Sequence, residues 1–211
     1  MFEGLSFDEI NDLVTNKRSM SFEQFFGEME LSDEEIQQRI ELAEKLEDGF
    51  LFVLALIFTM QQYNAVNWER ARQEYENRYL SALAGYITIT PYIHQYVRDM
   101  SYDIMDSTKK HQAEYYYYSP DRGKFMAECE ANTTRSYQCN EDAIAQGKTM
   151  KRWLTMRDKR VRATHKEVGG TSKPIGEPFY VGGSLLLYPR DFSLGASTAQ
   201  TAGCRCSIEY Y

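Results

Sequence analysis

Two cysteines near the end of the chain have a spacing that would let them share a metal ion. Cys204 and Cys206 flank one arginine, and a strand predicted over 204–211 would place both thiols on one face, because alternate residues of a strand point the same way. With His165 and a fourth ligand such as Asp158, they would complete a tetrahedral zinc site. A redox pair and the plain packing of small apolar side chains explain the same residues, so these alternatives stay open.

The densest charged part of the chain is the basic segment 148–166. Eight basic residues and one acidic residue occupy its nineteen positions, and such a cluster can contact phosphates with the release of counterions. A lone carboxylate among arginines, here Asp158, is more typical of a residue that organises its neighbours than of one that activates water. The residues of the segment predicted to contact nucleic acid or a protein partner are Lys148, Lys151, Arg152, Arg157 and Lys159.

Several enzyme classes fit the sequence poorly. A nuclease or transferase using Asp158, Arg160 and His165 is an alternative, but no nucleophile with a base, second carboxylate or oxyanion loop accompanies these residues. Gly147-Lys148-Thr149 ends like a phosphate-binding loop, yet the glycine required five residues earlier is an aspartate. The His165-x-Glu167 pair lacks the P-C-x-x-C motif of zinc deaminases.

Composition indicates an ordinary folded protein with segregated charge. The 211 residues are 43% hydrophobic and 26% charged, which excludes a disordered chain and a disulfide-stabilised miniprotein. Residues 1–60 carry 14 acidic and 4 basic side chains (−10), residues 61–147 carry 12 and 9 (−3), and residues 148–211 carry 5 and 11 (+6). The two ends are therefore expected to dock on each other, or the basic end to meet a polyanion or an acidic partner.

No membrane segment or export signal is predicted. The longest apolar run, 50–58, has nine residues, about half of the roughly 20 that cross a bilayer as a helix. It also follows an acidic start, whereas a signal peptide has a basic one, so we expect a cytoplasmic chain with mostly reduced cysteines.

Helix-start signals and apolar spacing predict a mainly helical first part. Ser32, followed by three carboxylates, opens a long helix that could break at Gly49. Further helices are predicted over 68–83, from Thr90-Pro91 onwards, and over about 120–146.

After Gly147 the pattern changes to short strands, prolines and glycines. Strands are predicted over 153–155, 184–188 and 204–211, with a short helix within 161–168. The sequence thus predicts an α+β protein with two parts: a helical region, 1–147, for assembly or partner contacts, and a small α+β module, 148–211.

An ordered set of motifs over residues 125–208 resembles the phage Mu F-like minor head proteins, also called phage head morphogenesis proteins. The set begins with an Asn- and Thr-rich helix (Asn132 to Asn140) and a turn that runs from Ala143 or Ala145 to Gly147-Lys148. The motif residues that follow are Trp153, Thr155, Asp158, Arg160, Arg162, His165, Gly170, Pro189, Cys204 and Cys206. One departure is Ala202-Gly203, where the family usually has an asparagine before the Cys-Arg-Cys.

The resemblance implies a small F-like module and a structural protein of the virion. The expected role is head morphogenesis at the portal vertex or inner capsid wall, without enzymatic activity, and the expected location is the capsid interior, after assembly in the host cytoplasm. Expected partners are the portal protein and the major capsid or scaffold protein, with phage DNA as a further partner and no membrane. No cofactor is expected, with structural zinc as the alternative. A zinc-stabilised nucleic-acid-binding module is the other alternative function.

Overall fold

The computed structural model describes residues 20–211, in which long helices precede a set of short strands. The α-helices are α1 (Phe22–Phe26), α2 (Asp33–Gln62), α3 (Trp68–Leu83), α4 (Pro91–Lys110), α5 (Pro120–Ala145), α6 (Ala163–Val168) and α7 (Thr198–Thr201), with a 3₁₀ helix at Tyr115–Tyr118. The strands are β1 (Met150–Leu154), β2 (Ser172–Pro174), β3 (Phe179–Val181), β4 (Ser184–Leu186) and β5 (Ser207–Tyr210). These elements confirm the predicted α+β class with a mainly helical first part.

The predicted helix starts have the expected capping contacts. Asn67 precedes α3 and accepts a hydrogen bond from the Arg70 amide at 3.0 Å. Thr90 precedes α4 and accepts one from the Ile93 amide at 3.3 Å, with Pro91 in the first turn. Helices α3 and α4 pack against each other.

Helix α2 continues through Gly49, where the sequence suggested a break. A β-carbon at this position would lie 3.3 Å from the β-carbon of Arg78 on α3, which is tighter than most such contacts. The glycine therefore permits a close approach of the two helices, which explains its presence inside a helix. Among the described residues, no helix is long and apolar enough to span a membrane.

Backbone contacts divide the described chain into two compact units. Unit one contains residues 41–130, and unit two contains residues 20–40 and 131–211. The division predicted at residue 147 marks the change from α5 to β1, but it does not coincide with the unit boundaries. The difference arises because helical segments at 20–40 and 131–147 group with the strands of unit two.

The strands of unit two form two small antiparallel sheets. One has the order β2-β1-β5, with Trp153 opposite Ile208, and the other is the β3-β4 hairpin, with Phe179 opposite Leu186. Gly182 and Gly183 connect β3 to β4 with φ angles of 54° and 85°, as a two-residue type I′ turn requires. The buried apolar core of these sheets consists of Trp153, Phe179, Val181, Leu186, Ala196, Cys204 and Cys206.

Candidate metal centre

His165 and the two C-terminal cysteines meet in the core of unit two. His165 lies on the short helix α6, whereas both cysteines lie in the segment that connects α7 to β5. The predicted strand over 204–211 begins only at Ser207, so the same-face argument for the cysteines was wrong. The Cys204 amide donates to the Thr201 carbonyl at 3.3 Å, which keeps this part of the chain in a turn.

The three side chains nevertheless converge on one point. The Nδ1 atom of His165 lies 3.5 Å from the Sγ atom of Cys204 and 3.5 Å from that of Cys206. The Cys206 amide also donates to the Cys204 sulfur at 3.4 Å. All three residues are buried, with exposed fractions of 1% for His165, 2% for Cys204 and 4% for Cys206. This convergence is what a shared metal ion requires of its ligands.

The surroundings of the two thiols favour unequal protonation. A hydrogen bond from the Cys206 thiol lowers the pKa of Cys204 against the raising effect of burial, and His165 lowers it further. The same contact, with burial, raises the pKa of Cys206. In the absence of a metal, the pair is therefore expected to hold one thiolate at Cys204 and one thiol at Cys206.

Trp153 on β1 forms one wall of the site. Its ring meets the His165 imidazole edge to face, with 5.8 Å between centroids and an interplanar angle of 78°. It meets Phe179 in a similar way at 5.2 Å. The Nε2 atom of His165 is buried and makes no hydrogen bond. The site is thus enclosed by aromatic groups on this side.

Asp158 does not join the cysteines, contrary to its predicted part as fourth ligand. Its carboxylate accepts a short hydrogen bond from Arg205 and a 3.3 Å one from Arg160, and it also accepts from the Arg160 amide at 2.9 Å. Partial burial raises the pKa of Asp158, but Arg205 and Arg160 outweigh this effect and leave that pKa below its usual value. The carboxylate is therefore held as the anionic partner of two arginines.

Acidic residues from the start of the described chain pair with the arginine cluster formed by Arg157, Arg160 and Arg205. Glu28 accepts from Arg205 at 2.9 Å and from Arg160 at 3.2 Å, and Glu30 lies 3.4 Å from Arg157. Within unit two, the acidic segment that contains Glu28 and Glu30 therefore contacts the basic segment 148–166. Docking of the two ends on each other was one of the two interpretations of the charge pattern.

The five predicted contact residues have different environments. Lys148 and Lys159 are exposed, whereas Arg152 pairs with Glu209 and Arg157 with Glu30. Lys151 is wrongly predicted as a surface contact because its side chain is 0% exposed. Its ammonium donates to the Leu187 carbonyl at 2.7 Å, and burial lowers its pKa to about 8.

The remaining motif residues support the backbone around the site. Arg162 donates to the Ala202 carbonyl, beside the cysteine segment. Gly170 has a φ of 79° and its amide donates to the Trp153 carbonyl at 2.8 Å. The side chain of Thr155 lies against Gly169, and Pro189 is buried.

A buried polar network that the sequence did not predict reaches the cysteine segment. Asn132 on α5 donates to the Cys204 carbonyl at 2.9 Å and accepts from Arg39 on α2 at 3.1 Å. Arg39 and Arg135 also pair with Glu35. The available signal was the run of polar residues within a helix, which is unusual for a buried segment.

Unit one contains a cavity of about 400 Å³. Its lining is polar and consists of Arg72, Gln73, Glu76, Asn77, Arg98 and Tyr102.

Comparisons of this chain with protein-family models, with curated proteins and with solved structures find no match.

Proposed function

We propose that this chain is a minor head protein that acts in phage head morphogenesis at the portal vertex or the inner capsid wall. The proposal rests first on the ordered motif set over residues 125–208, which resembles the Mu F-like minor head proteins. Its partners are the portal protein and the major capsid or scaffold protein, with phage DNA as a further ligand. Its location is the virion interior.

The observation that carries the proposal is the use of the motif residues in contacts within the chain. Asp158 accepts hydrogen bonds from Arg160 and Arg205, and both arginines also donate to Glu28. His165 is enclosed with two cysteines. Polar groups that saturate each other in this way hold a scaffold in one conformation, whereas a catalytic site presents some of them to a substrate. This arrangement supports an assembly role over a nuclease or transferase.

The charge distribution supports a polyanionic or acidic partner. Docking of Glu28 and Glu30 neutralises part of the arginine cluster, but Lys148, Lys159 and Lys166 remain exposed on the basic segment. Exposed lysines on a compact module would contact DNA phosphates or acidic side chains of a portal.

The test is the composition of purified particles. We expect mass spectrometry to find the chain in heads of the encoding phage, and deletion of the gene to reduce the yield of DNA-filled heads. Absence of the chain from mature and immature heads alike, or turnover of a substrate that depends on His165, would overturn the proposal.

A further inference from the structure

The separations at the His165 site match the edges of a metal coordination tetrahedron. Zinc binds thiolate sulfur at about 2.3 Å and imidazole nitrogen at about 2.0–2.1 Å. In a tetrahedral complex these bond lengths place nitrogen and sulfur about 3.5–3.6 Å apart. The Nδ1 atom of His165 lies 3.5 Å from each of the two sulfurs.

A hydrogen-bonded cluster accounts for the two equal contacts less well than a shared ion does. The Nδ1 atom carries either one hydrogen or one lone pair, so it can form a good hydrogen bond with only one of the two sulfurs. Two equal separations from one nitrogen are instead expected when all three atoms point at a common ion. The His165 tautomer with its proton on Nε2 leaves the Nδ1 lone pair free for that ion.

Charge balance identifies the class of ion. Two thiolates and one divalent cation form a neutral group, which can be buried without the desolvation cost of an uncompensated charge. Two sulfurs and one imidazole nitrogen suit zinc better than magnesium or calcium, which bind oxygen. The burial of Cys204, Cys206 and His165 is consistent with such a neutral centre.

We propose that Cys204, Cys206 and His165 bind one Zn²⁺ ion, with a water molecule as the fourth ligand. Within residues 20–211, the group contains three such ligands and no fourth histidine, cysteine or carboxylate. Binding displaces the proton that the metal-free pair keeps on Cys206 and connects α6 to the segment before β5, so the ion stabilises the core of unit two. This inference does not depend on the proposed function.

The first test measures metal content. Protein purified under reducing conditions from zinc-supplemented cells, without a histidine tag, is dialysed against metal-free buffer and analysed for metals. We expect about one zinc per chain in the wild type and far less in Cys204→Ser and Cys206→Ser. Cys139→Ser and His111→Ala, which alter a cysteine and a histidine outside the site, are the controls and keep their zinc.

The second test uses only the wild-type chain, so that it does not depend on whether the variants fold. Chelator treatment should lower the thermal unfolding temperature, and one equivalent of zinc should restore it. One equivalent of Co²⁺ should give the visible absorption of tetrahedral cobalt with thiolate charge-transfer bands. Metal-free protein that takes up neither ion, or a Cys204–Cys206 disulfide found in protein purified under reducing conditions, would overturn the proposal.

Discussion

At the scale of single residues, Arg205 joins the candidate metal centre to Glu28 of the acidic segment. It lies between the two cysteines in sequence, and its side chain is only 7% exposed. Its guanidinium contacts Asp158 on one side and Glu28 on the other. A nearly buried arginine with two carboxylate partners fixes the path of the chain around it, because leaving it unpaired would be costly.

The Asp158→Asn substitution is expected to destabilise the protein. Removing the negative charge leaves Arg205 with Glu28 alone, and loss of a charged hydrogen bond of this kind costs about 1–2 kcal/mol. We expect this decrease in the free energy of unfolding at pH 7, measured by urea denaturation. The control is Lys159→Gln, at an exposed neighbouring position, which should change the free energy of unfolding by less than about 0.5 kcal/mol.

The pH dependence of the Asp158→Asn effect follows from the lowered pKa of Asp158. A carboxyl whose pKa is lower in the folded state contributes stability above its unfolded value, near 3.8, and loses that contribution as the pH falls through the folded value. The difference between wild type and Asp158→Asn should therefore be largest at neutral pH and shrink below pH 4. A difference that stays constant over this range would contradict the ion-pair explanation.

At the scale of elements, unit two is held together by buried polar contacts between helix segments and the cysteine segment. Asn132 uses its oxygen for Arg39 on α2 and its nitrogen for the Cys204 carbonyl. Burial lowers the pKa of Arg39 to about 10, which reflects how completely its guanidinium is removed from water. Such contacts specify one arrangement of the elements, because any other leaves buried groups unpaired.

The Asn132→Ala substitution is expected to cost about 2–4 kcal/mol, because it leaves a buried arginine N–H and a buried carbonyl without this partner. Chemical denaturation measures the change. The control is Ile144→Ala, at an exposed position near the end of the same helix, with an expected cost below about 0.5 kcal/mol. Similar costs for both variants would mean that Asn132 has no special role in joining these segments.

The elements that the sequence predicted well are those with local signals. The bounds of α3 and the start of α4 follow from capping residues and apolar spacing, so the structure confirms both. The convergence of His165 with the cysteines was also suggested by residue type. The burial of Lys151 and the partners of Asn132 depend on residues 36 to 93 positions away in the chain. Local spacing contains no information about such contacts.

At the scale of the whole molecule, the net charge of −7 conceals a basic end that is only partly neutralised. Glu28, Glu30 and Glu209 pair with arginines of the basic segment, and Lys151 is buried. The lysines that remain exposed on this segment are Lys148, Lys159 and Lys166. If the chain contacts DNA as proposed, these three are the groups that should meet phosphates.

Reversal of these three lysines is expected to weaken DNA binding in a salt-dependent way. Each phosphate contact adds about 0.9 to the slope of log affinity against log salt, so the triple variant Lys148→Glu, Lys159→Glu, Lys166→Glu should lower that slope by roughly 2–3. Fluorescence anisotropy with a labelled duplex, over a series of salt concentrations, measures the slope for each variant.

A matched control separates a local contact from a general effect of net charge. The triple variant Arg70→Glu, Lys109→Glu, Lys110→Glu reverses three exposed cations of unit one and changes the net charge by the same amount. The two triple variants repel DNA equally at long range. A larger loss of DNA affinity in the Lys148, Lys159 and Lys166 variant is therefore expected only if the basic segment contacts DNA. Equal losses of affinity in both variants, or a wild-type protein that does not bind the duplex, would contradict a DNA contact through these three lysines.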